Sequence, residues 1–139
     1  MPTEPDSGFT LLEVLIVLVI IGLATAIVAL RGPSHSPALD LRATAQSIAE
    51  TLRLARSQAI AGDRPVTVAF DVAAHTVRLG AAPPQALPIA IALAVTAPAI
   101  RFEPDGSATG GTVALADAGR RTAIGVDWLL GRVTIVHGP

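Results

Sequence analysis

The chain has 139 residues, 51% of them apolar and 3% aromatic, with no cysteine, a formal charge of -1 and a mean hydropathy of +0.59. That length admits one small domain with at most one appended segment. The charge gives no support to a nucleic-acid-binding surface, whose affinity rests on many phosphate contacts, and the lack of cysteine excludes disulfides and Cys-ligated zinc or iron–sulfur sites.

The hydrophobicity is concentrated at the start. From Phe9 to Leu30 the chain reads FTLLEVLIVLVIIGLATAIVAL, in which Glu13 is the only ionisable side chain. As a helix this stretch is roughly 33 Å long, enough to cross the hydrocarbon core of a bilayer. A secretory signal peptide fits poorly: residues 1–8 (MPTEPDSG) carry Glu4 and Asp6 and no basic residue, and the apolar run exceeds a signal core. A retained membrane helix over 9–30 is therefore expected. Within it Glu13 is anomalous, because a carboxylate deep in a membrane segment costs about 2.5–3.5 kcal/mol on insertion scales. It lies one helical turn after Phe9. If the chain were cut between Gly8 and Phe9, the new Phe9 amine could neutralise Glu13 in the same or an adjacent subunit. The alternative is a Glu13 that snorkels to the headgroups.

Residues 31–36 (RGPSHS), followed by Pro37, interrupt the helix and read as a hinge. Ser36 is suited to cap a second helix with Pro37 at its first position. Over 37–62 the apolar residues Leu41, Ala45, Ile48, Leu52, Ala55 and Ala59 step by four and three, while Arg42, Gln46, Glu50, Arg53 and Ser57 hold the opposite face. That pattern predicts a helix with one stripe buried on its own domain's sheet, stopped by Gly62 and Pro65. Alanine supplies half the stripe, which argues against a pure oligomerisation coil. Residues 63–139 are β-rich, with strands expected at 65–71, 76–79, 89–95, 99–102, 112–115, 122–127 and 132–136, a loop at 81–85, and antiparallel hairpins. The fold class is α+β, an N-terminal helix laid on an antiparallel sheet or small sandwich. Trp128, the sole tryptophan, is expected to anchor the core.

Catalytic chemistry finds no frame. His35, His75 and His137 fall on different elements without metal-ligand spacing, and read as solvated surface histidines. Ser34, Ser36, Ser47, Ser57 and Ser107 lack a nucleophile's setting. Asp105-Gly106-Ser107 lacks the carboxylates of a calcium loop, and neither Gly106 nor Gly110-Gly111 belongs to a phosphate loop. No catalytic residue, metal, cofactor or small-molecule substrate is expected.

Gly8-Phe9-Thr10-Leu11-Leu12-Glu13 followed by an apolar run resembles the class III signal of type IV pilins and type II secretion pseudopilins. That resemblance implies cleavage by prepilin peptidase after Gly8, N-methylation of Phe9, and an assembly role for Glu13. It also puts the leader, 1–8, in the cytoplasm, although all ten arginines follow the membrane segment and the positive-inside rule alone would favour the opposite orientation. A second resemblance lies downstream. Leu52 to Ile60 (LRLARSQAI), Arg64-Pro65-Val66, Phe102 to Thr112 (FEPDGSATGGT) and Val126 to Val133 (VDWLLGRV) are similar to the GspH/FimT branch of minor pseudopilins and minor pilins. Together the two imply a pilin-like fold whose long N-terminal helix is membrane-embedded in its first half and amphipathic in its second. They imply a minor pseudopilin near the tip of the type II secretion pseudopilus, single-pass in the inner membrane with its β-rich domain in the periplasm. Expected partners are the major and other minor pseudopilins and prepilin peptidase. Two alternatives remain at this point: a minor pilin of a type IV pilus, and a membrane-anchored periplasmic binding module or enzyme. The soluble part from Arg31 onward carries ten arginines against eight acids, weak support for DNA binding.

Overall fold

A computed structural model describes residues 10–30 and 36–138, with backbone alone at 28–30. The leader 1–8, Phe9 and most of the expected hinge lie outside the described residues. Two units result, one containing the first helix and the other everything from Ser36.

The first unit is helix α1, Leu11–Leu30. Its 20 residues span about 30 Å, and no Pro or polar run breaks it.

The second unit begins with helix α2, Pro37–Gly62. Ser36 precedes it in an extended conformation and makes no side-chain cap; its carbonyl instead accepts the N–H groups of Leu39 and Asp40 at 2.8 and 3.0 Å. Pro37, lacking an N–H and with φ already helical, starts the helix. At the far end Asp63, not Gly62, adopts the left-handed conformation and donates its N–H to the Ala59 carbonyl. Aspartate tolerates that conformation because its short polar side chain can bond locally.

Eight strands follow: β1 (Val66–Asp71), β2 (Thr76–Leu79), β3 (Gln85–Ala86), β4 (Ala92–Val95), β5 (Ala99–Phe102), β6 (Gly111–Asp117), β7 (Arg120–Val126) and β8 (Val133–Gly138). They form two four-stranded sheets with every pairing antiparallel, in the orders β3-β2-β1-β5 and β4-β6-β7-β8. Alternation along the strands turns Val66, Val68, Phe70, Ile100 and Phe102 of one sheet, and Val113, Leu115, Ile124 and Val126 of the other, into a single core. Helix α2 touches both sheets and buries Leu41, Thr44, Ala45, Ile48, Ala49, Leu52, Ala55 and Ala59. Each large aliphatic side chain so buried contributes about 1.5–3 kcal/mol. The alanines act through size, since they let a helix lie close over two sheets.

The α+β architecture with antiparallel sheets agrees with the sequence reading, and besides the helix caps four details differ. Trp128 is 66% exposed and no part of the core. Strand β4 starts at Ala92, because Pro88 and Ile91 are joined by a turn hydrogen bond of 3.1 Å that delays the extended run. Gln85, expected in a loop, pairs with Val77 in the short strand β3. His137, one residue beyond the last expected strand, stands on β8, 3.2 Å from the Thr122 hydroxyl.

Candidate functional site

Helix α1 is apolar on every side, the pattern of a helix that must be surrounded completely by lipid or by other helices. Every described side chain on it is exposed, Leu11 at 85% and Leu12 at 67% among them. Such a surface far exceeds what soluble monomers leave to water. Its side chains are described as far as Ile27; among the described residues no helix is long and apolar enough to cross a membrane.

Two of the polar groups on α1 are satisfied within the helix. Thr25 donates its hydroxyl to the carbonyls of Ile21 and Gly22, each at 2.9 Å, which hides it from an apolar solvent. At the N-terminus the Thr10 hydroxyl accepts the Glu13 N–H at 3.3 Å and the Thr10 carbonyl accepts it at 3.0 Å. Thr10-Leu11-Leu12-Glu13 thus has the spacing of a capping box. The Glu13 carboxylate is different: among the described residues it has no hydrogen bond and no ion pair. Its position in the first turn favours it through the helix dipole, worth about 0.3–1 kcal/mol at an exposed site. That is too little to offset the cost of burying a carboxylate. Gly8 and Phe9 lie outside the described residues, so Glu13 is the one predicted site residue whose surroundings are described.

In the second unit the histidines do not come together. His75 sits at φ 50° in the turn between β1 and β2, partly buried, with its Nδ1 unpartnered. Among the described residues no group of three His, Cys, Asp or Glu could hold a metal ion. Asp105 organises a turn: its Oδ1 accepts the Ser107 hydroxyl at 2.6 Å and the Ser107 N–H at 2.9 Å. Those bonds, the hydroxyl first, hold its carboxyl below the usual aspartate value.

In the loop between β7 and β8, sequence reasoning missed the outward presentation of the apolar residues. Asp127 Oδ1 accepts the N–H groups of Leu129 and Leu130 at 3.0 and 2.7 Å, and the Asp127 backbone bonds Arg132 and Gly131 at 2.9 Å each. The Trp128 carbonyl accepts the Ala108 N–H at 2.9 Å. With its backbone fixed in this way, the loop presents Trp128, Leu129 and Leu130, 66%, 59% and 51% exposed. The available signal was Asp127, an aspartate placed to bond the N–H groups two and three residues on, as in an Asx-turn.

Residues 44–130 match the family described as Type II transport protein GspH, and residues 5–29 match the prokaryotic N-terminal methylation motif. A relative, Type II secretion system protein H of Xanthomonas campestris pv. campestris, is 30% identical over 136 residues, covering 91% of this chain and 80% of that protein. Among solved structures, the minor pseudopilin EpsH from the type 2 secretion system of Vibrio cholerae is similar with a TM-score of 0.61 at 16% identity, over 70% of this chain and 97% of that one. The type IV minor pilin FimU of Pseudomonas aeruginosa is similar with a TM-score of 0.58 at 18% identity, over 71% and 88%. These two likenesses are of fold.

Proposed function

The chain belongs to the GspH family of type II transport proteins, and on that premise we propose that α1 anchors it in the inner membrane and later packs among other α1 helices in the filament. As a minor pseudopilin it is a structural subunit of the type II secretion pseudopilus, with other pseudopilins as its partners. In this reading the β-rich unit stands in the periplasm, and prepilin peptidase cuts between Gly8 and Phe9 and methylates the new Phe9 amine. The subunit sits near the tip. The type IV pilus alternative has the fold likeness to FimU behind it, whereas the family match and the Xanthomonas relative favour type II secretion.

One observation carries the mechanism: Glu13 is the single ionisable group of an all-round apolar helix, and its carboxylate is unpartnered among the described residues. Buried in a filament core, that carboxylate would be satisfied by the Phe9 amine of its own or a neighbouring chain, and a bond to the neighbour would fix the axial stagger of the helices. A charge-assisted bond of this kind is worth about 1.5–3 kcal/mol, or roughly ten- to a hundredfold in an assembly equilibrium.

Glu13→Ala tests it. Alanine keeps the backbone N–H that Thr10 caps and removes only the carboxylate, so membrane insertion is expected to persist while incorporation into pseudopili falls about ten- to a hundredfold. Variant subunits that enter the filament at the wild-type level would refute the mechanism.

A further inference from the structure

Beside the β7–β8 loop lies a recess of about 400 Å³ lined by Arg53 and Arg56 of α2 together with Leu130, Gly131, Arg132 and Val133. Three arginines therefore line one cavity. Glu50 and Asp127 are the nearest acids in sequence, Asp105 adjoins the Gly106 carbonyl that Arg56 bonds, and none of the three lines the recess. Each is already engaged: Glu50 accepts from Gln46 at 3.1 Å, Asp105 holds Ser107, and Asp127 holds its own loop. The ion pair present among the described residues, Arg101 with Glu103 at 2.8 Å, lies elsewhere. Arg56 gives its Nε–H to the Gly106 carbonyl at 3.1 Å, which fixes the wall of the recess. Leu130 belongs both to this wall and to the exposed apolar loop, so the cationic recess and the apolar patch are continuous.

We propose that the recess and the Trp128-Leu129-Leu130 loop dock an acidic segment of a neighbouring pseudopilin, with a carboxylate entering among Arg53, Arg56 and Arg132 and an adjacent apolar side chain covering the loop. This deepens the pseudopilin reading and rests on it for the class of partner. The chemistry follows from the residues. Three like charges around one cavity repel each other, and an anion relieves that repulsion while accepting the forked N–H groups that guanidinium offers. Tryptophan and arginine are the side chains that dominate protein interfaces when they cluster. A lipid surface also offers anions and apolar matter, but it needs no shaped recess. Here the backbone is locked on both sides, by Asp127 and by the Arg56 bond to Gly106. Fixed shape of this kind limits the ordering cost of binding a folded partner.

The experiment places the photo-crosslinker p-benzoylphenylalanine at Leu129 of the full-length chain, in cells that carry its complete secretion system. Crosslinked peptides are identified by mass spectrometry. The expected product joins position 129 to a segment of another pseudopilin that contains Asp or Glu. Its yield is expected to fall about tenfold with Arg53→Gln and Arg132→Gln together, while the melting temperature stays unchanged; Arg56 is left intact because it holds the fold. Arg132→Glu is expected to abolish the product, and exchange of the partner's acidic residue for arginine to restore it. A yield indifferent to the paired Gln changes overturns the proposal, as does a product formed only with phospholipid or with a segment lacking a carboxylate. Pseudopilus incorporation is scored in the same cells. Normal incorporation with an indifferent crosslink removes this surface and leaves the assembly reading standing. A wild-type chain absent from the pseudopilus removes both.

Discussion

Gly131 shows how much one residue can hold in place. It stands at φ 57°, and a Cβ there would collide with the Gly106 carbonyl oxygen and come within 3.0 Å of Arg56 Nε. That carbonyl and that nitrogen are the two ends of the bond that ties α2 to the 103–107 turn. Gly131→Ala combines a left-handed backbone with a steric conflict and is expected to destabilise the second unit by about 2–4 kcal/mol. Gly80 provides the control, with φ 53° and nothing within 4 Å of a built Cβ; Gly80→Ala is expected to cost about 1 kcal/mol. Urea unfolding followed by circular dichroism compares them, and equal losses would show that the contact with Gly106 carries no weight. Glu13 was legible at this scale, since a lone charge in an apolar run is visible without coordinates. The arginine recess was not, because Arg53 and Arg132 stand far apart in sequence and read singly as solvated charges.

For whole elements, α2 is the clearest case of sequence dictating packing. All six residues of the apolar stripe read from its periodicity are buried, and Arg42, Gln46, Glu50, Arg53 and Ser57 are exposed. Leu52 and Leu54 put the same side chain on opposite sides of that helix, at 0% and 49% exposure. Leu52→Ala is expected to lose about 2–5 kcal/mol by opening a cavity, and Leu54→Ala no more than about 0.5 kcal/mol. Thermal melting of the two variants checks this, and comparable shifts would mean that α2 does not pack as described. The strands were less legible than the helix. Ile89 is apolar yet 84% exposed, because the Pro88 turn holds it out of the sheet, and an alanine-rich run gives little contrast between two faces. Trp128 was misjudged for a related reason: apolar character says that a side chain gains by leaving water, and says nothing of whether its own chain or another provides the cover.

Considered as a whole molecule, the precursor and the proposed mature chain are different electrostatic objects. Removal of residues 1–8 takes away Glu4 and Asp6 and leaves ten arginines against nine acids, a formal charge of +1. Intact-mass and N-terminal peptide measurement of the membrane-extracted protein is expected to find a chain starting at N-methylated Phe9. An intact Met1, or a cut between Ala24 and Ala29, would contradict the processing reading. Strand order has a further consequence. The chain lays down β1 to β3 in one sheet, leaves to start the other with β4, and returns with β5 to pair against β1 before completing the second sheet. The two sheets are therefore interlaced in sequence, each completed by a strand that follows the chain's entry into the other. Folding of this unit has to wait for contacts between distant parts of the chain, and its unfolding is expected to be a single cooperative event. In the proposed passage from membrane to filament, a body of this kind would meet a pull at one end either by staying whole or by failing at once.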